Sequence, residues 1–441
     1  MPDHDQRELV DAPKPNPMGL SPIVLFLVLV IVSGLVTKDF TAMPTLVAFM
    51  IILGYALLLN PVGEKLSGLK KVDIFCRGSG DPTIILMVMV FMLAGVFYSL
   101  TIDIGARDAT VNLGLAFVPD QLLLPGLFLI CCVISFAMGT SMGTITALAP
   151  IGIGLAESIG ISVPLALGIV IGGAMFGDNL SFISDTTIAA TRTQRVEMID
   201  KFRVNIMITL PAVLATLLLI VFVDFSTQTQ IDRESFNVVL VLPYLAIIIA
   251  ALCRLNVLAV LGVGIAAAAA IGVYTGAFTF WAMLASAQTG MGWMQNLAAI
   301  ALVVGGLVGL MRAYGGIDWL LSVLTRSIKT QRQAEYRIAA LASLLDVSVG
   351  NNTVAIVTAG PVAREINASF DVDPRRTAGI LDIFSCGFQG LIPYGGQLLT
   401  TSALAGISPL SITVYCWYPM LILLAGVIAI WFGFPRLARS G

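Results

Sequence analysis

Apolar runs long enough to cross a bilayer cover nearly the whole chain and leave room for few other architectures. A span needs roughly 20 apolar residues at about 1.5 Å each. Such runs lie near 19–37, 41–60, 82–101, 163–190, 203–223, 237–254, 256–275, 297–311, 375–403 and 410–433. In lipid every backbone polar group must be satisfied within the protein, so the expected fold class is an all-α polytopic membrane protein. Composition supports this: 58% of residues are apolar and 11% charged, against about 45–50% and about 25% in soluble domains. Membrane lipid is the expected surrounding. A net charge of -2 and the lack of a long Lys/Arg cluster argue against nucleic acid. The cysteines (Cys76, Cys131, Cys132, Cys253, Cys386, Cys416) show no metal or disulfide spacing and read as inert thiols.

Residues 1–18 are polar and mixed in charge, and read as a cytoplasmic N-terminal tail. The stretch Gly19 to Val36 is long enough to span and has no small-residue cleavage site, so no cleavable signal is expected. Two further apolar stretches, 121–160 and 338–367, have small polar residues at their centres, Gly139-Thr-Ser-Met-Gly143-Thr and Gly350-Asn-Asn-Thr353. Each reads as a helical hairpin that enters and leaves on one side. Segments 61–80, 102–118 and 276–296 are too polar or interrupted to span and are expected at the interface, with Trp281 and Trp293 in the aromatic belt. With the N-terminus inside, only Lys38, Arg107 and Arg233 of the 24 basic residues fall outside. By the positive-inside rule both termini are then cytoplasmic, in a bacterial inner membrane.

The chain repeats itself weakly. Gly139 precedes Pro150 by eleven residues and Asp178 follows that proline by 28; Gly350, Pro361 and Gln389 keep the same two spacings. The first repeat runs over 19–223, with hairpin 121–160 and broken helix 163–190. The second runs over 237–433, with hairpin 338–367 and broken helix 375–403. Each half has five full crossings, an odd number, so the repeats must be inverted. Inverted repeats with helix breaks at matching places mark secondary transporters, whose sites lie at the repeat interface.

The most informative segment is Gly177-Asp-Asn-Leu-Ser-Phe-Ile-Ser-Asp-Thr-Thr187, inside a span. An Asp at bilayer centre costs roughly 2.5–3.5 kcal/mol on insertion scales. Asp178 and Asp185, with Asn179, Ser181, Ser184 and Thr186, therefore cannot face lipid. An opened helix there offers carboxylates, hydroxyls and free carbonyls, a hard-oxygen site for Na⁺ or a proton. The hairpin tips add Thr140, Ser141 and Thr144 in the first half and Asn351, Asn352 and Thr353 in the second. The second broken helix offers Gln389, Tyr394, Gln397 and Thr400, and no Asp opposite Asp178. Asp346 and Asp382 are further intramembrane acids that could join a proton path or pair with an Arg. Gly139-Thr-Ser141-Met-Gly143 fits a serine-nucleophile pattern, but the sole histidine, His4, lies in the tail, so no enzyme is expected.

The string GDNLSFISDTT (177–187) resembles the G-D-x-x-S-P-x-S-D-T signature of the NhaC-type Na⁺/H⁺ antiporters of the ion transporter superfamily. The resemblance implies a scaffold part, a moving part holding hairpins and broken helices, elevator-like alternating access and a homodimer. It carries roles to Asp178, Ser181, Ser184, Asp185 and Thr186; the departure is Phe182 where the family usually has proline. Expected function is Na⁺/H⁺ antiport, with Asp178 shared by Na⁺ and H⁺ and Asp185 assisting. No cofactor is expected beyond these ions. The alternative is Na⁺- or H⁺-coupled transport of an amino acid or small carboxylate, since some relatives move such solutes. A dicarboxylate fits less well, because no Lys or Arg is expected deep in a span near the site. An ion channel fits less well than alternating access.

Overall fold

The computed structural model describes residues 14–37, 43–60, 66–182, 184–223, 237–253, 255–324 and 328–435. Its helices, in chain order, are α1 (Ser21–Thr37), α2 (Thr45–Leu58), α3 (Gly68–Ser79), α4 (Pro82–Asp103), α5 (Ala106–Phe117), α6 (Leu123–Met138), α7 (Ser141–Ile159), α8 (Val163–Leu180), α9 (Asp185–Gln194) and α10 (Met198–Val221). They continue with α11 (Val238–Leu252), α12 (Val257–Thr275), α13 (Phe280–Ala313), α14 (Gly316–Leu324), α15 (Gln331–Val349), α16 (Asn352–Phe370), α17 (Pro374–Gln389), α18 (Gly396–Ala405), α19 (Pro409–Thr413) and α20 (Trp417–Phe432). No strand occurs among the described residues. Among the described residues six stretches are long and apolar enough to cross a membrane, and α2, α6, α11 and α20 include shorter apolar ones. The tail before Lys14 with His4 and Arg7, the basic residues Lys38, Lys65, Arg233, Arg254, Arg326, Arg436 and Arg439, and Ile183 lie outside the described residues.

Two helical hairpins turn on glycine. Gly139 (φ 67) joins α6 to α7 and Gly350 (φ 66) joins α15 to α16. This left-handed conformation is cheap only without a Cβ. Each glycine N–H closes its helix on the carbonyl four residues back, Ser135 at 2.8 Å and Asp346 at 2.6 Å. Each hairpin leads to a helix with a proline in its first turn, α8 capped by Ser162 and α17 by Asp373. Each of those helices then breaks, at 181–184 before α9 and at 390–395 before α18. The order of hairpin, helix, break and short helix thus occurs twice.

One expectation fails. Residues 276–296 do not lie apart as an interfacial stretch, because 280–296 are the first half of one continuous helix, α13, of 34 residues. At 1.5 Å per residue it is about 51 Å long, more than a bilayer core requires. It meets α4 at Gly290, where a Cβ would stand 2.1 Å from the Gly95 carbonyl oxygen, and at Ser286, whose carbonyl accepts from Ser99 Oγ at 3.0 Å. Gln288, Thr289, Gln295 and Asn296 of the same helix are exposed.

The chain divides into two compact units, with the division inside α13. The unit of Met1–Asp81 and Leu302–Ser327 holds α1, α2, α3, α14 and the end of α13. There Gly78 lies against Gly305, where a Cβ would come within 2.5 Å of the carbonyl oxygen. Lys71, 4% exposed, donates to the carbonyls of Leu57 and Leu59 at 2.8 Å and to Asn60 Oδ1 at 2.9 Å, satisfying the end of α2. The unit of Pro82–Ala301 and Ile328–Gly441 holds both hairpins and both broken helices. Within it α6 packs on α8 through glycines: a Cβ on Gly173 would meet Cys131 Cβ at 2.5 Å, and one on Gly177 would meet Ser135 Oγ at 2.0 Å. The glycine of the Gly-Asp motif is therefore required by how closely α8 approaches α6.

Candidate ion site

Asp178 sits in the last turn of α8, 4% exposed, facing the tip of the first hairpin. Its Oδ1 accepts from the Ser141 backbone N–H at 3.0 Å and its Oδ2 from Ser141 Oγ at 2.5 Å. The N–H belongs to the first residue of α7, one of the donors a helix start leaves unpaired, where negative charge is favoured. Gln397 Nε2 donates to the same Ser141 Oγ at 3.1 Å, Gln389 Nε2 to Gln397 Oε1 at 2.7 Å, and Gln389 Nε2 also to the Gly350 carbonyl at 3.3 Å. One polar chain thus joins the first break, the first hairpin tip, the second break and the second hairpin tip.

These groups line a cavity of about 100 Å³. Its wall includes Asp178, Ser184, Asp185, Thr186, Thr140, Ser141, Asn351, Asn352, Thr353, Gln389 and Gln397, with Leu86, Met87, Val90, Met142 and Val257 supplying the apolar part. Asp185 opens α9 and is exposed, without the enclosure of Asp178. Thr186 Oγ1 donates to the Asp178 carbonyl at 2.8 Å and lies 2.8 Å from Ser184 Oγ. On the second hairpin, Asn351 caps α16 through Val354 N at 3.0 Å, and Asn352 accepts from Thr353 N at 2.9 Å. The break at 181–184 forms without the proline: Ser181 and Ser184 take extended backbone angles. Phe182 stacks on Phe202 of α10 with centroids 4.9 Å apart and meets Phe136 of α6 edge-on at 6.3 Å.

Several expected residues lie off the cavity wall. Ser181 is buried at the end of α8. Thr144 bonds back to the Thr140 carbonyl at 3.1 Å. Asp346 is fully buried in α15. Asn179 and Asp382 meet behind the break, Asn179 Nδ2 donating to Asp382 Oδ2 at 3.3 Å. There the structure corrects the sequence reading. Lys201, expected in a cytoplasmic loop, is 1% exposed in the first turn of α10 and pairs with Asp382 at 2.8 Å. Its Nζ also donates to the Asn179 carbonyl and to Thr187 Oγ1, both at 2.7 Å. A cation therefore does lie deep beside the site. Asp382 pairs with this lysine rather than with an Arg, and Asn205 Nδ2 adds a bond to it at 2.8 Å. Tyr418 donates to Asn179 Oδ1 at 2.9 Å. Reasoning from sequence missed Lys201, Asn205 and Tyr418. One signal was present: Lys201 and Asn205 stand four apart, on one helix face that then turns apolar.

A larger cavity of about 960 Å³ is lined by Arg195, Asp200, Arg332, Glu335, Asp373, Arg375 and Arg376 among others. Its charges are matched in place: Arg376 to both oxygens of Glu335 at 2.7 and 2.8 Å, Arg375 to Asp373 at 2.6 Å. Burial pushes the Asp373 carboxyl up, but the bonds from Arg375 outweigh it and hold the group below its usual value. It has the walls of a charged vestibule without the unmatched carboxylate of the smaller cavity.

Helix ends brought together inside the protein, presenting their own unpaired backbone to a small polar cavity, are how secondary active transporters hold ions. That is the class this arrangement defines. Residues 16–225 and 229–435 match the model of the Na⁺/H⁺ antiporter family, and the chain belongs to that family. It is a multi-pass membrane protein and a secondary transporter of the Na⁺/H⁺ antiporter type. The chain is 23% identical over 388 residues to the Na(+)/H(+) antiporter NhaC of Alkalihalophilus pseudofirmus, covering 78% of this chain and 82% of that one. It is 28% identical over 178 residues to the malate-2H(+)/Na(+)-lactate antiporter of Bacillus subtilis, 40% of this chain and 37% of that one. It is 23% identical over 386 residues to the arginine/ornithine antiporter ArcD of Halobacterium salinarum, 79% of each.

Proposed function

We propose that this protein exchanges Na⁺ for H⁺ at Asp178, which binds one or the other. The observation that carries this is the pairing pattern. Asp382 already has its counter-charge in Lys201, whereas among the described residues Asp178 has only the neutral donors of Ser141. An uncompensated carboxylate in the interior costs several kcal/mol, so Asp178 calls for a cation of its own. A proton neutralises it directly. Na⁺ does so with oxygens from Ser184, Thr186 and Asp185 on the same cavity wall. Competition for one carboxylate couples the two fluxes without further machinery.

Transport then follows an alternating path. The two halves, as inverted repeats, form a body of hairpins and broken helices that carries the cavity elevator-like between the two faces. The protein works as a homodimer in a bacterial inner membrane, with both termini cytoplasmic and no catalytic chemistry. A second reading, coupled movement of an amino acid or small carboxylate, is favoured by the neutral amides Asn351, Asn352, Gln389 and Gln397 on the wall. Size weighs against it. The cavity holds about 100 Å³, against roughly 300–1,000 Å³ for small-molecule pockets.

The test uses purified protein in liposomes carrying a pH gradient, followed with a pH-sensitive dye while Na⁺, Li⁺ or K⁺ is added. Na⁺ or Li⁺ should dissipate the gradient, and Asp178→Asn should abolish the response. Folded protein that responds to no cation, yet takes up a labelled amino acid or carboxylate with Na⁺, would establish the second reading instead.

A further inference from the structure

The first and second hairpins share a backbone device but not a side chain. In each, the residue four before the turning glycine accepts that glycine's N–H through its carbonyl: Ser135 for Gly139 and Asp346 for Gly350. The side chain of Ser135 is satisfied, its Oγ donating to the Ala174 carbonyl. Asp346 is 0% exposed, and neither carboxylate oxygen has a hydrogen-bond partner among the described residues. A hairpin of this design therefore closes on a neutral hydroxyl, and the fold does not need an acid here. Leaving a buried polar group unpaired is costly, and leaving a charge so is far costlier.

No cation among the described residues relieves it. Among titratable groups on the elements packed against α15, Arg364 and Glu365 of α16 are exposed. On α17, Arg375 binds Asp373, Arg376 binds Glu335, and Asp382 binds Lys201 with Cys386 Sγ 3.8 Å from its Oδ1. On α20, Tyr418 binds Asn179. On α15 itself Arg332 lies over Trp431 and Glu335 is paired, while Arg337 is nine residues away, about 13 Å along the helix. The nearest titratable neighbour is the Tyr394 hydroxyl, which donates to the Val347 carbonyl, next along α15. An acid enclosed without donor or cation carries its proton.

We propose that Asp346 is a proton-binding site separate from Asp178, opened to water by movement of the second hairpin tip, and that it carries a second proton through the transport cycle. Two bonds hold the tip closed, Gln389 Nε2 to the Gly350 carbonyl and Tyr394 to Val347. Gln389 belongs to the chain that reaches Ser141 and Asp178. Displacement of that chain when the ion at Asp178 changes frees the tip, water reaches Asp346, and the carboxyl gives its proton to water on one side and regains one on the other. The stoichiometry rests on the reading of Asp178 as the Na⁺ carboxylate; the proton on Asp346 does not.

The experiment has two readouts on wild type, Asp346→Asn and Asp346→Ser, the last reproducing the residue of the first hairpin. With Na⁺ present to keep the proton off Asp178, the infrared carbonyl band of a protonated carboxylic acid should be present in the wild type and lost or reduced in both variants. In liposomes, wild-type Na⁺/H⁺ exchange should respond to a membrane potential set with K⁺ and valinomycin. Both variants should still exchange Na⁺, one proton per ion, with no response to potential. A band unchanged by either substitution overturns the site, and potential dependence unchanged in the variants overturns the second transported proton. If the wild type exchanges no Na⁺ at all, the reading of Asp178 fails, and the infrared band alone decides whether Asp346 holds its proton.

Discussion

Lys201 shows how far one side chain can lie from its sequence-level reading. It stands in a stretch rich in charge, between Arg195 and Arg203, and such stretches normally line a cytoplasmic loop. The fold instead starts α10 early enough to bring its ammonium between Asp382 and the carbonyl of Asn179. The burial of Asp178, by contrast, was legible, because an acid inside an apolar run is too costly to leave facing lipid. The pairing gives a prediction. Lys201→Met leaves Asp382 charged and without its counter-ion, with the amides of Asn179 and Asn205 still donating to it, a loss of about 3–5 kcal/mol, read as a large fall in melting temperature in detergent. Lys201→Met together with Asp382→Leu should recover part of that loss, because the uncompensated charge is gone although Asn179 and Asn205 lose their acceptor. If the double variant melts no higher than the single one, the pair is not the source of the stability. Ser141 offers a second prediction. Ser141→Ala removes the hydroxyl from Asp178 Oδ2 but keeps the backbone bond to Oδ1. Loss of one hydrogen bond to a charged group, about 1.5–3 kcal/mol, should shift the apparent Na⁺ affinity roughly ten-fold or more in the same direction as the proton affinity changes.

Helices and their breaks were mostly legible for simple reasons. Glycine at a hairpin turn, proline in a first turn and a serine cluster in an apolar run each mark backbone that cannot continue as before. The unbroken α13 was not legible, since Ser286, Gln288, Thr289 and Gln295 read as too polar to span, and the close approach to α4 at Gly290 leaves no mark in the sequence. Nor could the sequence show what replaces the family's proline at the first break. Phe182 does so by lodging against Phe202 and Phe136, tying the break to α10 and α6. At this scale the approach of α8 to α6 can be tested. Gly177→Ala places a methyl 2.0 Å from Ser135 Oγ and must push the helices apart, at a cost of about 1–3 kcal/mol. Asp178 moves with α8, so exchange should fall along with the melting temperature. Gly126→Ala on α6 meets nothing within 4 Å and should leave both unchanged. Equal effects from the two substitutions would mean that helix propensity, not the close approach, sets the outcome.

Over the whole molecule, chemistry is concentrated where continuous helix stops. The first half supplies the acid, the second the neutral amides, and a line of hydrogen bonds from Asp178 through Ser141, Gln397 and Gln389 to Gly350 connects them. The weak repeat in the sequence pointed to these four places because it was strongest at their glycines and prolines. It did not point to the division of the chain into two units, which falls inside α13 at no visible boundary in composition. The central claim is that one carboxylate, Asp178, holds either Na⁺ or a proton. The measurement that meets it most directly is proton release on Na⁺ binding, made by adding NaCl to purified protein in weakly buffered detergent solution and recording pH. Wild type should acidify the medium on Na⁺ but not on an equal addition of choline chloride, and Asp178→Asn should release nothing. Na⁺ binding to the wild type with no proton released, or release undiminished in Asp178→Asn, would contradict it.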